Sequence, residues 1–305
     1  MTLKSLGFFL IAFALAATSL GQTENSVDVR PHWKSNETHS VKIKSTTTDN
    51  NNGKAQNYVS TFEAKFIVKE ASDSGYKVEW TYTNSKLADN DPVVENQIVA
   101  RLTNTKLLIK LSDVGRFVEL MNVDEVKTTA NKVIDELIAN SSSNPTMNAQ
   151  YKGAKQLIAS KQGLEIALLK QIKFYNFSFG FNYKLNFVQT NNIKLPNPMG
   201  GQNFDGVEKV QLTKLDKKNF VCVIETNKIV DGKILKTAVI DYVKRVTNSN
   251  PQAIDEMNKA SLTMTENTMQ QIDYARGIIQ ESFFKRTMNF GFQNRTIVLE
   301  IETAD

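Results

Sequence analysis

Phe62-Glu63-Ala64-Lys65-Phe66-Ile67-Val68-Lys69-Glu70-Ala71-Ser72-Asp73-Ser74-Gly75-Tyr76-Lys77-Val78-Glu79-Trp80-Thr81-Tyr82 decides how this chain is read. Tyr58, Phe62, Phe66 and Val68 share one parity, and Thr61, Glu63, Lys65 and Lys69 take the other. Alternation of that kind gives a strand with one apolar and one polar face, because successive side chains leave opposite sides of the backbone. After Asp73-Ser74-Gly75 the pattern resumes: Tyr76, Val78, Trp80 and Tyr82 against Lys77, Glu79, Thr81 and Thr83. Two such runs across a short glycine turn predict an antiparallel hairpin.

Outward from the hairpin, the same grammar covers most of the chain. Val41-Lys42-Ile43 leads into Asp49-Asn50-Asn51-Asn52-Gly53, a polar turn whose Asn-Gly pair tolerates positive φ. Strands are expected to continue through 94–102, 106–111 and 115–121. The period then changes. Val126, Ala130, Val133, Ile134, Leu137 and Ile138 recur at spacings of three and four, one stripe of a helix. Asn122 is its expected N-cap, with Glu125 in the capping-box position. Ser141 to Pro145 stops this helix, and a second helical stretch runs through Leu157, Ile158, Leu164, Leu168 and Ile172, weakened by Gly153 and Gly163 into shorter pieces.

Alternation returns with Phe177, Phe179, Phe181, Tyr183, Leu185 and Phe187, an aromatic comb that reads as one face of a central strand packed on the helices. Runs at 207–215, 219–226 and 233–246 read as further strands, the last two joined across Asp231-Gly232. A short helix is expected from Asn250 with Pro251 in its first position. A hairpin around Gly277 and the alternation of Ile297, Leu299 and Ile301 finish the chain. The expected fold is therefore α+β and mostly antiparallel: strands over 27–121, a helical block over 122–175 and strands over 176–302. The helices would cover one face of a large curved meander sheet within a single β-rich domain, 22–305.

Composition narrows the function classes. The 305 residues hold 37 Lys+Arg against 32 Asp+Glu, one Cys and two His, with 41% hydrophobic and 23% charged residues. Such a chain is neither disordered nor a disulfide scaffold, and two His with one Cys cannot build a His/Cys metal cage. Residues 1–21 read as a secretory signal: Lys4 in the n-region, an apolar run from Leu6 to Ala17, and Ser19 and Gly21 before Gln22. The run is shorter than the roughly 20 residues a membrane-spanning helix needs, and no later stretch is long and apolar enough. Export to the periplasm or exterior of a Gram-negative bacterium is the expected localisation. The excess of basic residues is mild and dispersed, and Lys214, Lys217 and Lys218 cluster at a turn without interleaved aromatics, so nucleic acid is not an expected partner.

Few residues carry chemistry. Cys222, within Phe220-Val221-Cys222-Val223-Ile224, reads as filling of a buried strand. His32 and His39 flank Trp33 without convergent partners and read as surface or edge-strand histidines. Asp89-Asn90-Asp91 with Glu95 supplies hard oxygen ligands, but not in the order of an EF-hand, and Asp91-Pro92 reads as a turn. Gly200-Gly201 is followed by no Lys-Ser/Thr and opens no helix, so it reads as a surface loop. No catalytic residue, metal ligand or cofactor is assigned. Two carboxylates converging in a pocket would be needed for a hydrolase, and no spacing suggests them.

The hairpin Phe66…Trp80-Thr81-Tyr82, the run Asp113-x-Gly115-x-Phe117-x-Glu119-Leu120-x-Asn122, and Leu195-Pro196-Asn197-Pro198-Met199-Gly200-Gly201 together carry a resemblance. With the export signal and the terminal strand pair, they make the chain resemble an uncharacterised family of secreted proteins of Bacteroidota-type bacteria, over most of 22–305. Those motifs are turn and core signals, and no active residue is implied. In architecture, long antiparallel strands around helices resemble the periplasmic lipoprotein-carrier fold, which implies a lipid or other apolar ligand held between sheet and helices. The expected function is thus non-enzymatic binding of an apolar or amphipathic ligand, with Trp80, Tyr82, Phe177, Phe179, Phe181 and Tyr183 as its lining. The alternative is an interaction module recognising an envelope protein or a glycan through loops 86–93 and 195–204.

Overall fold

A computed structural model of the chain describes residues 25–51, 53–195, 203–246, 251–290 and 293–304. The expected signal segment and most of the loop 195–204, Gly200-Gly201 included, lie outside them. Among the described residues no helix is long and apolar enough to cross a membrane.

The chain is mostly antiparallel β. In order it forms β1 (Ser26–Val29), β2 (Thr38–Asn51), β3 (Lys54–Ser72), β4 (Gly75–Lys86), α1 (Val94–Val99), β5 (Lys106–Leu111), β6 (Phe117–Leu120), α2 (Val123–Asn140), α3 (Pro145–Leu157), α4 (Lys161–Leu168) and α5 (Lys170–Tyr175). There follow β7 (Phe181–Lys184), β8 (Val188–Leu195), β9 (Phe204–Asp216), β10 (Val221–Val230), α6 (Gly232–Val246), α7 (Pro251–Lys259), β11 (Leu262–Asp273), β12 (Ile278–Phe290) and β13 (Gln293–Ala304). One 11-stranded sheet has the order β6-β5-β4-β3-β2-β13-β12-β11-β10-β9-β8, and β1 and β7 make a separate pair. Each half is a meander. The halves meet at β2 and β13, in register from Ser40↔Ala304 to Asn51↔Gln293.

The β3–β4 hairpin forms as its alternation requires, with Phe66 opposite Trp80 and Val68 opposite Val78. Gly75 carries the turn at φ +126, where a Cβ would stand 2.3 Å from the Leu111 carbonyl oxygen. On β3, Ser60, Phe62, Ala64, Phe66 and Val68 are buried and Thr61, Glu63 and Lys65 exposed. Helix α2 begins where expected. Asn122, however, turns its side chain back to β5, accepting from the Leu108 N–H and donating to the Lys106 carbonyl and to Glu125.

Three expected strands are not strands. Residues 94–99 are α1, whose Ile98 and Val99 are buried with Leu102. Residues 232–246 are α6. There Asp231 does not open a hairpin; its Oδ1 accepts the N–H groups of Lys233 and Ile234 and so caps a helix. Leu235 and Val239, four apart, form the buried stripe. The aromatic comb is not a central strand either. Residues 176–180 are a turn ending at Gly180 (φ +80), and only 181–184 extend, paired with β1. A Cβ at Gly180 would stand 2.6 Å from Arg116 Nε, so the turn is built around the missing side chain.

Two apolar clusters sit on the sheet. The larger joins residues of α1–α5 and β1 with Phe62, Phe66, Trp80, Leu212, Cys222, Ile272 and Ile301 of the sheet. The smaller joins Leu235, Val239 and Met257 of α6 and α7 with Leu195, Phe204, Val230, Leu262 and Met264.

Candidate functional site

The six aromatic residues singled out in the sequence fall in three places. Trp80, Tyr82 and Phe179 are fully buried. Trp80 meets Phe66, Tyr82 and Tyr175 at ring centroids 5.8–6.3 Å apart, mostly edge to face, the arrangement that aromatic quadrupoles favour. The Tyr82 hydroxyl donates to Gln171 Oε1 at 2.9 Å. Burial, and then the Glu95 carboxylate nearby, push the Tyr82 phenol above its ordinary range. Phe179 stands 5.5 Å from Trp33. Trp33 itself, with Phe66 and Tyr76 against it, donates its indole N–H to the Gly277 carbonyl at 2.8 Å. Sequence pattern gave no hint of this anchor, since Trp33 belongs to no periodic run. His32 is exposed as expected; His39 is not a surface residue but is buried on β2, 3.0 Å from Glu37.

Phe181 and Tyr183 lie on β7. Phe181 is 42% exposed, with the Arg116 guanidinium 4.0 Å from its ring centre. Tyr183 is buried, donates to the Ser178 carbonyl, and lines a cavity of about 230 Å³ with Asn182, Lys184, Phe187, Gln189 and Val210. Burial raises its phenol too.

Phe177 occupies the third place. It is half-buried, and Lys228 Nζ stands 5.1 Å from its ring centre. Lys228 belongs to a row that the register assembles across the sheet between the two apolar clusters: Arg286, Glu266, Lys228, Glu208 and Asn191, each opposite the next. Arg286 Nε is 2.7 Å from Glu266 Oε1, while Lys228 and Glu208 are 3.4 Å apart. Beside this row Phe284 faces Phe174 of α5 at 5.7 Å, with Lys170 at 5.7 Å and Arg286 at 5.6 Å from its ring. Lys170 in turn lies 3.6 Å from Glu95. Phenyl rings and cations thus alternate along the seam. Helix α5 and the turn after it are pinned there by Gln270, which is fully buried. Its amide N–H donates to the Phe174 carbonyl at 2.9 Å and to Ser282 Oγ at 2.8 Å, and its Oε1 accepts from Ser178.

A second concavity, about 270 Å³, lies over β2, β3, β4 and β13 and is lined by Lys42, Lys44, Glu63, Lys86, Glu300 and Glu302 among others. Two of its lysines stand beside carboxylates. Lys42 stands opposite both Glu63 and Glu302, and Lys44 pairs with Glu300 at 2.7 Å.

Among the described residues no group of three or more His, Cys, Asp or Glu is placed to hold a metal ion. Asp89 and Asn90 form a turn, and the buried Asp91 carboxylate accepts from Ser60 Oγ, Asn96 Nδ2 and the Val93 N–H. Cys222 is buried, and desolvation pushes its thiol up to about 12, the reverse of what a nucleophile needs.

No protein-family model matches the chain, and no curated protein does. Among solved structures the chain is similar to one of lipovitellin, described by its lipid–protein interactions, with a TM-score of 0.42 and 10% sequence identity. The similarity covers 89% of this chain and 25% of the other, so the chain spans about a quarter of that protein's length.

Proposed function

We propose that the chain is an exported binding protein, not an enzyme, that takes an amphipathic ligand at the seam between sheet and helices. The observation that carries this reading is the pairing of phenyl rings with cations along that seam: Phe177 with Lys228, and Phe284 with Lys170 and Arg286. Rings offer an apolar bed, and Lys170 and Lys228, held 3.6 and 3.4 Å from Glu95 and Glu208, would exchange those looser pairings for an anionic headgroup. In this reading α2–α5 act as one block over the inner face of a curved sheet in a single domain. The seam that the block leaves uncovered is where the ligand lies. Trp80, Tyr82 and Phe179 then form the floor that positions α5, while Phe177 is the residue that touches ligand. The Lys4 to Gly21 pattern supports export.

Native mass spectrometry of the purified chain, with organic extraction of the same sample and titration with a fluorescent long-chain fatty acid, tests the reading. A lipid-sized adduct or saturable fatty-acid binding is expected, weakened at least about tenfold by Phe177→Asp and less by Lys228→Gln. Phe220→Asp, at a ring 51% exposed and away from the seam, is expected to leave it unchanged. Binding that ignores Phe177→Asp overturns the assignment.

A second reading, recognition of an envelope glycan or protein, draws on the exposed ring of Phe187, which lines the smaller cavity with Asn182 and Gln189, and on the exposed ring of Phe181 on β7. Glycan-array binding lost in Phe187→Ala would favour it over the first.

A further inference from the structure

The two edges of the 11-stranded sheet differ. At one end β6 has only four residues, its pairing with β5 slips at Lys110/Leu111, and its Leu120 N–H is taken by Glu165 Oε1 at 3.2 Å. Such an edge is blunted against further pairing. At the other end β8 has eight residues in unbroken register with β9, from Val188↔Gln211 to Leu195↔Phe204. It holds no proline and no bulge. Its single charge, Lys194, is drawn sideways to Asp205 on β9. Among the described residues no backbone hydrogen bond joins 188–195 to anything but β9.

We infer that the outer edge of β8 is an interface between two copies of this chain, joined by antiparallel strand pairing. The occupant is argued from the strand's own sequence, Val188-Gln189-Thr190-Asn191-Asn192-Ile193-Lys194. A two-fold axis perpendicular to the sheet keeps equivalent faces on the same side, and an axis at Asn191 sets that residue opposite its own copy. Thr190 then stands opposite Asn192 of the second copy, Gln189 opposite Ile193 and Val188 opposite Lys194. No like charges meet. The stem of Lys194 covers Val188, which is 45% exposed in the single chain. In sequence, Pro196 and Pro198 follow at once and limit the shared ladder to this length.

Two experiments on the chain expressed from residue 1 decide the matter. Asn191→Cys is expected to give a disulfide-linked dimer as the main product of mild oxidation, because the interface sets residue 191 against itself. Lys209→Cys, exposed on neighbouring β9, is expected to stay monomeric, and Cys222 is buried in both. In sedimentation equilibrium, Thr190→Lys with Asn192→Lys is expected to weaken the dimer at least about tenfold by setting lysines against lysines, with the melting temperature unchanged. An equal mixture with the Thr190→Asp/Asn192→Asp chain is expected to restore it. A wild-type chain monomeric at about 100 μM, or a dimer indifferent to the paired lysines, overturns the proposal.

Discussion

The cluster beneath α2–α5 is built from rings and pinned by buried polar groups, whereas the cluster beneath α6 and α7 is built, among the described residues, from Leu, Val and Met around the ring of Phe204. In the first, Trp33, Phe66, Trp80, Tyr82 and Tyr175 stand mostly edge to face, and two buried glutamines tie α5 to the sheet, Gln171 of α5 to Tyr82 on β4 and Gln270 of β11 to the Phe174 carbonyl. Ring geometry and buried hydrogen bonds admit few alternative packings. Unbranched methionines and aliphatic chains admit more. One sheet thus carries a rigid site and an adaptable one, and the charged row marks the border between them.

The sharpest way to break this contrast is Trp80→Ala. Emptying the ring cluster is expected to cost about 3–5 kcal/mol and to lower the global unfolding midpoint in urea. Leu235→Ala in the smaller cluster is expected to cost about 2–4 kcal/mol. Its effect should appear in hydrogen exchange as lost protection confined to α6 and α7. A loss spread equally over β3 and β4 would mean that the two clusters melt as one unit.

Gln270→Ala removes the pin beneath α5, strands the Ser178 hydroxyl and leaves the Phe174 carbonyl to the backbone N–H of Phe177. A loss of about 2 kcal/mol is expected by chemical denaturation, with Gln270→Glu failing to restore it because a carboxylate cannot donate to that carbonyl. The smallest effect is alkaline. Cys222 titrates near 9.0 when unfolded and near 12 when folded, so between those values the unfolded chain holds fewer protons. Stability is therefore complete below about pH 9 and falls as pH rises, by about 1 kcal/mol at pH 10, and Cys222→Val is expected to flatten this part of the profile. Among the described residues the smaller cluster contains no titratable side chain and should not respond.

How much of this was legible in the sequence depends on where the deciding contacts lie. The β3–β4 hairpin was legible because its two faces differ chemically at every step and its turn is local. Helix α2 was legible from its stripe, though not the turning of Asn122 toward β5, which depends on a strand that starts sixteen residues earlier. Residues 94–99 and 232–246 satisfy both periods, and the choice fell to contacts that periodicity does not contain: the Asp231 cap for α6 and the burial of Ile98 and Val99 for α1. The comb at 177–187 alternates correctly but is bent at Gly180, where Arg116 and Val114 fill the space of a Cβ. Of the candidate site only Phe177 was legible. Glu208, Lys228, Glu266 and Arg286 lie on four strands and become a row only through register.

The seam between β2 and β13 has a consequence for how the chain is made. Asp49 and Arg295, bound there by two hydrogen bonds, are 246 residues apart. A ribosome adding about 5–20 residues per second needs roughly 10–50 s to cover that distance. Throughout that interval β2 has β3 on one side and nothing on the other. The first meander is therefore made as half a sheet, and closure waits for β13. Pairing at such long range folds slowly, because the loop-closure entropy is spent before the contacts that repay it form.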